Sequence, residues 1–482
     1  MNRRQAWRWT RRGMLLGGVA GAAAYAALKT RPPETEADLH LLYTPAAMHH
    51  GLDRNPIIVI PGLLGSRLRD PASGRVVWGA FDGVAADPGT PEGARLVALP
   101  FTEEMQSPGA RVSPDGVLER VQLRVAGIPL ALRAYAEILS TLGLGGYRDE
   151  ALGLAGRVDY GNDHFTCFQF AYDWRQDNVA NARRLMDFMA EKRAYVQAEY
   201  ARRYGMRNHP VKFDVVAHSM GGLVARYAML FGAADLPADG ALPTPSYAGA
   251  EYIARLIQIG TPNGGSLDAL RVLVEGRDFG QPIVPRYSQA ILGTFASVYQ
   301  LLPRARSQPL LVGDAPADPH DPELWQRLGW GLAARGLEGD LATLMPDVAD
   351  AAERRRLAIA LQARLLRRAR AFAAAMDQPV HLPPGTELML VAGDSMPTAL
   401  RIAASAEGRL TVRENGPGDG VVLRDSVLLD HRQGQSPRPP RVESPMGFER
   451  ALFLPREHLE ITRDATFRDN ILFWLLEEQR RS

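Results

Sequence analysis

One segment constrains this chain more than any other. Val215-Val216-Ala217-His218-Ser219-Met220-Gly221-Gly222 is an apolar run that breaks into small residues around a serine and continues as a helical pattern. Strand, sharp turn, helix is the setting in which G-x-S-x-G works as a nucleophile elbow. Such a turn needs small residues two before and two after the serine, and here they are Ala217 and Gly221. Ala217 in place of the first glycine weakens the match to the motif, but a methyl group still allows close approach. The competing reading is a serine capping an ordinary helix. The strand before it and the helix after it favour the elbow.

The same alternation runs along the rest of the chain. Ile57-Ile58-Val59-Ile60 is a short apolar strand ending in Pro61-Gly62. Further strands are expected at 165–172, 211–217, 253–259, 387–391 and 451–454. Helices are expected at 178–204, 220–231 and 464–478. Buried strands that do not alternate in polarity, separated by helices, imply an α/β fold with a mostly parallel sheet covered on both faces. Residues 66–150, with a helical patch at 128–142, and residues 263–385, rich in Arg/Ala helices, interrupt this pattern. Insertions in such folds sit on the loops around the active site, so both are expected to form a cap or lid.

Composition narrows the function classes. The formal net charge is +2, which gives no global reason to expect a nucleic-acid partner. Only three of the 56 basic residues, Lys29, Lys192 and Lys212, are lysine. With the abundant Ala, Gly and Pro this reads as the bias of a GC-rich genome, so arginine clusters carry little functional weight. The single cysteine, Cys167, excludes an intrachain disulfide and a zinc site built from cysteine pairs. No metal or organic cofactor is implied.

The N-terminus reads as an address rather than as fold. Residues 1–12 hold five arginines and no acid, and Gly13 to Leu28 is uncharged and Ala/Gly-rich. That stretch is shorter than the roughly 20 residues of a spanning helix, and the order basic-then-apolar is that of an export signal. Thr10-Arg11-Arg12-Gly13-Met14-Leu15-Leu16 resembles the twin-arginine motif, and Ala24-Tyr25-Ala26 offers a small-x-small cleavage site. The expectation is a signal over 1–28, a linker over 29–50 and a catalytic domain over 51–482, with a periplasmic destination. An uncleaved N-terminal membrane anchor is the alternative.

A serine hydroxyl needs a base, and the base needs an orienting acid, in the chain order Ser, acid, His. The last three of the ten histidines are His381, His431 and His458. His458 comes just after the last expected strand and before the closing helix, which is where the base belongs. His218 is read as a packing residue lining the site. For the acid, Asp394 directly follows a strand and Asp419 lies in the loop Gly418-Asp419-Gly420; position alone does not separate them. The oxyanion donors are expected to be the amide of Met220 and, from the loop Pro61-Gly62-Leu63-Leu64-Gly65-Ser66, that of Leu63, with Gly62 and Gly65 letting the backbone turn inward.

Taken together, several segments resemble the lecithin:cholesterol acyltransferase family of α/β-hydrolases. They are the run 57–68, Tyr172-Asp173-Trp174-Arg175, His218-Ser219-Met220-Gly221-Gly222, Gly260-Thr261-Pro262-Asn263-Gly264-Gly265-Ser266, Gly418-Asp419-Gly420 and His458-Leu459, in the family's order. The resemblance implies an α/β-hydrolase fold, Asp419 as the acid, and insertion 66–150 with part of 263–385 as a lipid-engaging cap. Ala217, Val421 and Asn263 stand where the family more often has Gly, Thr and Trp.

The expectation is an exported serine O-acyltransferase acting on lipid or other hydrophobic esters through an acyl-enzyme, with Ser219, His458 and Asp419 as the triad. An esterase, lipase or phospholipase A using the same residues with water as acceptor is the first rival. A non-catalytic envelope protein of the same fold is the second. The arginine-rich helix near 353–372 reads as a cap helix with a solvated face, or as a contact with an anionic membrane surface. Trp325 and Trp330 read as core or as interfacial anchors. Tyr172-Asp173-Trp174-Arg175 reads as a structural pin with no catalytic role.

Overall fold

The computed structural model describes residues 45–478 apart from residues 50, 82–84, 102–111, 119, 126–127, 134, 278–285, 433–434 and 436. The expected signal 1–28 and nearly all of the linker 29–50 lie outside the described residues. Among the described residues no helix is long and apolar enough to cross a membrane.

The centre is a six-stranded sheet. Its strands are β1 (Ile57–Ile60), β2 (Cys167–Gln169), β3 (Phe213–His218), β4 (Ile253–Ile259), β5 (Glu387–Gly393) and β6 (Arg450–Leu454). They lie in the order β6-β5-β4-β3-β1-β2, and all five pairings are parallel. Every residue of β1 and β3 is buried, as continuous apolar runs require when both faces are covered. The fold is that of an α/β-hydrolase. The chain leaves β1 for β2 on one side, then crosses to β3 on the other, so strand order reverses between β1 and β3. In open parallel sheets a crevice forms at the carboxyl ends of the strands at such a reversal. The loop after β1 and the elbow after β3 both emerge there.

Helix α1 (Asn178–Tyr204) starts where Asp177 accepts the Val179 and Ala180 amides and stops at Gly205, whose φ of 68° is a left-handed cap. Helix α2 (Met220–Phe231) is buried along its whole length, packed between the sheet and α1. Helix α3 (Ala351–Met376) buries Leu361, Leu365, Leu366 and Phe372. Several of its arginines are tied down: Arg368 bonds Asp177 at 2.8 Å and also pairs with Asp235, and Arg370 pairs with Asp318 at 2.6 Å. Trp325 and Trp330 are buried side by side in the core, edge to face, rather than at an interface. Helix α4 (Ala465–Leu476) is capped by Asp464.

Two expectations change, and one hairpin adds to them. The strand expected over 165–172 pairs only over β2, because the residues after it turn away to place Tyr172 and Trp174 against the loop after β1. The patch expected as helix over 128–142 divides into a strand, Ile128–Arg133, and a helix, Ala136–Leu144. The strand pairs antiparallel with Arg120–Val125, whose alternating polar and apolar residues carry a period of two. The stretch between β5 and Asp419 contains a hairpin, Met396–Ala404 with Leu410–Gly418, which joins a four-stranded side sheet with Leu310–Val312 and Ala315–Ala317.

Candidate active site

Ser219 sits between β3 and α2 at φ 53° and ψ −128°, a conformation that L-residues rarely adopt. Strain of this kind costs on the order of 1–3 kcal/mol and persists only where the surroundings over-determine it. Here the Ser219 amide is held by the Ile259 carbonyl at 2.7 Å, and its own carbonyl accepts the Gly222 amide at 3.0 Å. The small residues around it answer to contact. A Cβ on Gly221 would run into the Pro61 carbonyl at the end of β1, and one on Gly62 would lie 2.7 Å from Ser219 Cβ. Ala217 is fully buried, and its methyl is accommodated.

Around this serine the structure brings together three of the expected residues. His458 Nε2 is 2.9 Å from Ser219 Oγ, and His458 Nδ1 is 2.7 Å from Asp419 Oδ2. The other Asp419 oxygen accepts the amides of Val421 and Val422, at 3.0 and 2.7 Å. The His458 amide donates back to the Asp419 carbonyl at 3.0 Å. Burial pushes the Asp419 carboxyl up, but the neighbouring His458 and the two amides outweigh it and hold the group below the ordinary aspartate range. Asp394, the rival acid, is half-buried and accepts the Ser395 hydroxyl instead. His381 and His431 take no part in these bonds.

Glycines make room for the pair. At Gly260, φ 58°, a Cβ would crowd His458 and Asp419 at 3.1 and 3.3 Å. At Gly393, the end of β5, it would lie 2.5 Å from Asp419 Cβ. The segment after Gly260 braces the loop that carries Asp419: Ser266 Oγ donates to the Val421 carbonyl at 2.6 Å, and the Gly264 amide to the Ser426 carbonyl at 2.9 Å. Asn263 is a buried hub, donating to Gln258 and the Val427 carbonyl and accepting from Arg226.

The amide of Met220 opens α2 and so has no acceptor within the helix. Leu63 follows Gly62 in a four-residue turn closed by the Gly65 amide on the Gly62 carbonyl at 3.1 Å. The residue that takes the left-handed conformation there is Leu64, φ 66°, not either glycine. Gly62 and Gly65 serve close approach instead: a Cβ on Gly65 would strike Pro61 and the Tyr135 ring. Tyr172 Oη donates to the Pro61 carbonyl at 2.9 Å, and Trp174 Nε1 to the Ser66 carbonyl at 3.1 Å, so this tetrapeptide holds both ends of the loop. Its Asp173–Arg175 pair, buried and bonded at 2.8 Å, fixes the tetrapeptide in turn.

The sequence reading placed His218 at the site without its bonds and missed Tyr135. His218 is not mere packing: its two ring nitrogens bridge Tyr135 and the His458 carbonyl. Tyr135, from the first insertion, had no motif to mark it.

Residues 122–327 match the lecithin:cholesterol acyltransferase family model. No curated protein matches the chain in sequence. Among solved structures, a chain of the Tle4–Tli4 complex is similar over 88% of this chain and 98% of its own, at 18% identity and a TM-score of 0.51. Weaker likeness extends to the mature form of Bacillus licheniformis lipase BlEst2, at 13% identity over 89% of this chain and 94% of that one, TM-score 0.29. Lipase 1 from Pelosinus fermentans is similar at 12% identity over 88% and 99%, TM-score 0.33. The chain has the α/β-hydrolase fold, and over residues 122–327 it is similar to the lecithin:cholesterol acyltransferase family.

Proposed function

We propose that this chain is a serine acyltransferase or esterase acting on lipid or other hydrophobic esters. The observation that carries the reading is the strained Ser219, with its Oγ 2.9 Å from His458 Nε2 and that imidazole 2.7 Å from Asp419. Ser219 Oγ attacks the acyl carbonyl while His458 Nε2 takes its proton. The amides of Leu63 and Met220 receive the oxyanion. As the intermediate collapses, His458 returns the proton to the leaving alcohol, and an acyl-enzyme remains. An acceptor alcohol, or water in the esterase reading, then attacks that ester by the same steps in reverse. Asp419 holds the imidazole in the tautomer that accepts at Nε2 and offsets the imidazolium charge.

A hydrophobic acyl group is supported by an apolar recess of about 100 Å³ beside the oxyanion loop. Leu63, Leu64, Trp78, Trp174, Phe295 and Val298 line it. The family match supports a lipid ester as the class. Export through the twin-arginine route belongs to the same proposal and rests on residues 10–16.

Ser219→Ala is expected to abolish ester turnover and fluorophosphonate labelling while leaving the thermal midpoint close to that of the parent. Undiminished turnover in that variant would sink the serine mechanism, and an unlabelled, inactive parent would favour a non-catalytic role. Product analysis with a labelled phospholipid, with and without an added long-chain alcohol, separates the acceptors. Acyl ester formed from the alcohol supports transfer; free fatty acid alone supports the esterase.

A further inference from the structure

The hydroxyl of Tyr135 is buried just before helix Ala136–Leu144, in the first insertion, and is engaged on two sides. It accepts the Gly62 amide at 2.7 Å and lies 3.0 Å from His218 Nδ1. His218 Nε2 lies 3.1 Å from the His458 carbonyl oxygen. A carbonyl only accepts, so Nε2 carries the proton. Burial, with His458 close by, pushes His218 down to about 3, so its ring is neutral and Nδ1 is an acceptor. Burial likewise pushes the Tyr135 hydroxyl up, so it stays a donor. The chain of bonds therefore has one direction: Gly62 N–H to Tyr135, Tyr135 O–H to His218, His218 N–H to His458.

We propose that Tyr135 and His218 are positioning residues for acyl transfer, clamping the oxyanion loop and the base at a set distance from Ser219. The inference rests on the serine reading above. Gly62 is pinned on both sides, its amide by Tyr135 and its carbonyl by the Gly65 amide. The Leu63 N–H is anti to that carbonyl across a planar peptide, so it is left with one direction. At the other end, His218 is bonded covalently to Ser219 and by hydrogen bond to the His458 backbone, while the His458 ring reaches Ser219 Oγ. Two neighbouring residues on the elbow thus grip backbone and ring of the same histidine. A phenylalanine at 135 would fill the same space and break both bonds of the hydroxyl.

The test compares the parent with Tyr135→Phe, His218→Gln and His218→Leu on a soluble p-nitrophenyl ester. A boronic acid inhibitor supplies a second readout: the Ser219 Oγ–boron bond forms, the serine proton passes to His458, and a tetrahedral anion is left in the oxyanion site. For Tyr135→Phe, kcat is expected to fall about ten- to hundredfold with KM within about threefold, and the boronate Ki to rise by a similar factor, because the lost interaction matters mainly in the transition state. His218→Gln keeps an N–H for the His458 carbonyl and should lose less than His218→Leu. Parent-like kcat in Tyr135→Phe, or a loss confined to KM with the boronate Ki unmoved, would overturn the inference. Phosphonate labelling of the parent at Ser219 keeps the two failures apart: a labelled parent with an unaffected Tyr135→Phe defeats the clamp alone, and an unlabelled parent defeats the serine reading itself.

Discussion

At Asp419 two effects oppose each other, and the balance decides its charge. Burial disfavours the carboxylate, while His458 and the amides of Val421 and Val422 favour it more strongly. The group therefore stays ionised across neutral pH with one oxygen committed to the loop and the other to the imidazole. Asp419→Asn is expected to lower turnover by about 10⁴, since the amide side chain holds the imidazole in the wrong tautomer. Asp394→Asn, at a carboxylate that accepts the Ser395 hydroxyl, should change turnover by less than about threefold. Turnover of both variants on one soluble ester checks the pair. On position alone Asp394 and Asp419 were equal candidates. The hairpin Met396–Gly418 carries the chain away from β5 and back, so that the residue after Gly418 meets His458.

Between elements, the elbow depends on how closely α2 crosses the end of β1. Gly221 faces the Pro61 carbonyl with no room for a methyl group. Gly221→Ala is expected to destabilise the fold by at least the ~1–3 kcal/mol typical of overpacking and to displace the loop after β1 with it. Denaturant melts together with ester turnover measure this; a variant with parent stability and activity would show that the crossing tolerates a methyl group. The elements themselves were largely legible. The β1 run, α1 and α2 stand where their periodicity places them, because each has an unmixed pattern and a marked end: Asp177 and Gly205 for α1, Ser219 and Gly232 for α2. The strand Ile128–Arg133 was not, because Ile128-Pro129-Leu130-Ala131-Leu132 is equally apolar read at a period of two or of three to four. Only its pairing with Arg120–Val125 settles the choice.

For the whole molecule, the neutral burial of His218 has a consequence for acid stability. An unfolded histidine titrates near pH 6.5, whereas folded His218 is pushed down to about 3 by burial and by His458. Between those values the unfolded chain binds a proton that the folded chain does not, so stability falls as pH drops through that window. His164, pushed down to about 4 by burial, adds to the slope. In His218→Gln the thermal midpoint should fall less between neutral pH and about pH 5 than in the parent; equal slopes would remove His218 from this account. Export is tested on the full chain. Arg11→Lys with Arg12→Lys is expected to keep the protein out of the periplasm if the paired guanidinium groups are what the export route reads. Fractionation showing undiminished periplasmic protein would remove that proposal.

Ser219 and the surrounding strand–turn–helix could be read directly, because the elbow is local: small residues, an apolar strand and a helical pattern lie within eight positions. The parallel fold followed from buried, non-alternating strands, which admit few other arrangements. What the tertiary structure alone decided are the contacts between residues far apart in the chain. The placing of Asp419, and not Asp394, beside the His458 ring depends on a hairpin whose register no short pattern encodes. The change of His218 from packing to bridge depends on Tyr135, 83 residues away in an insertion. A side chain's environment is made by whichever segments the fold brings against it. For these residues those segments are distant, and composition, spacing and periodicity carry no record of them.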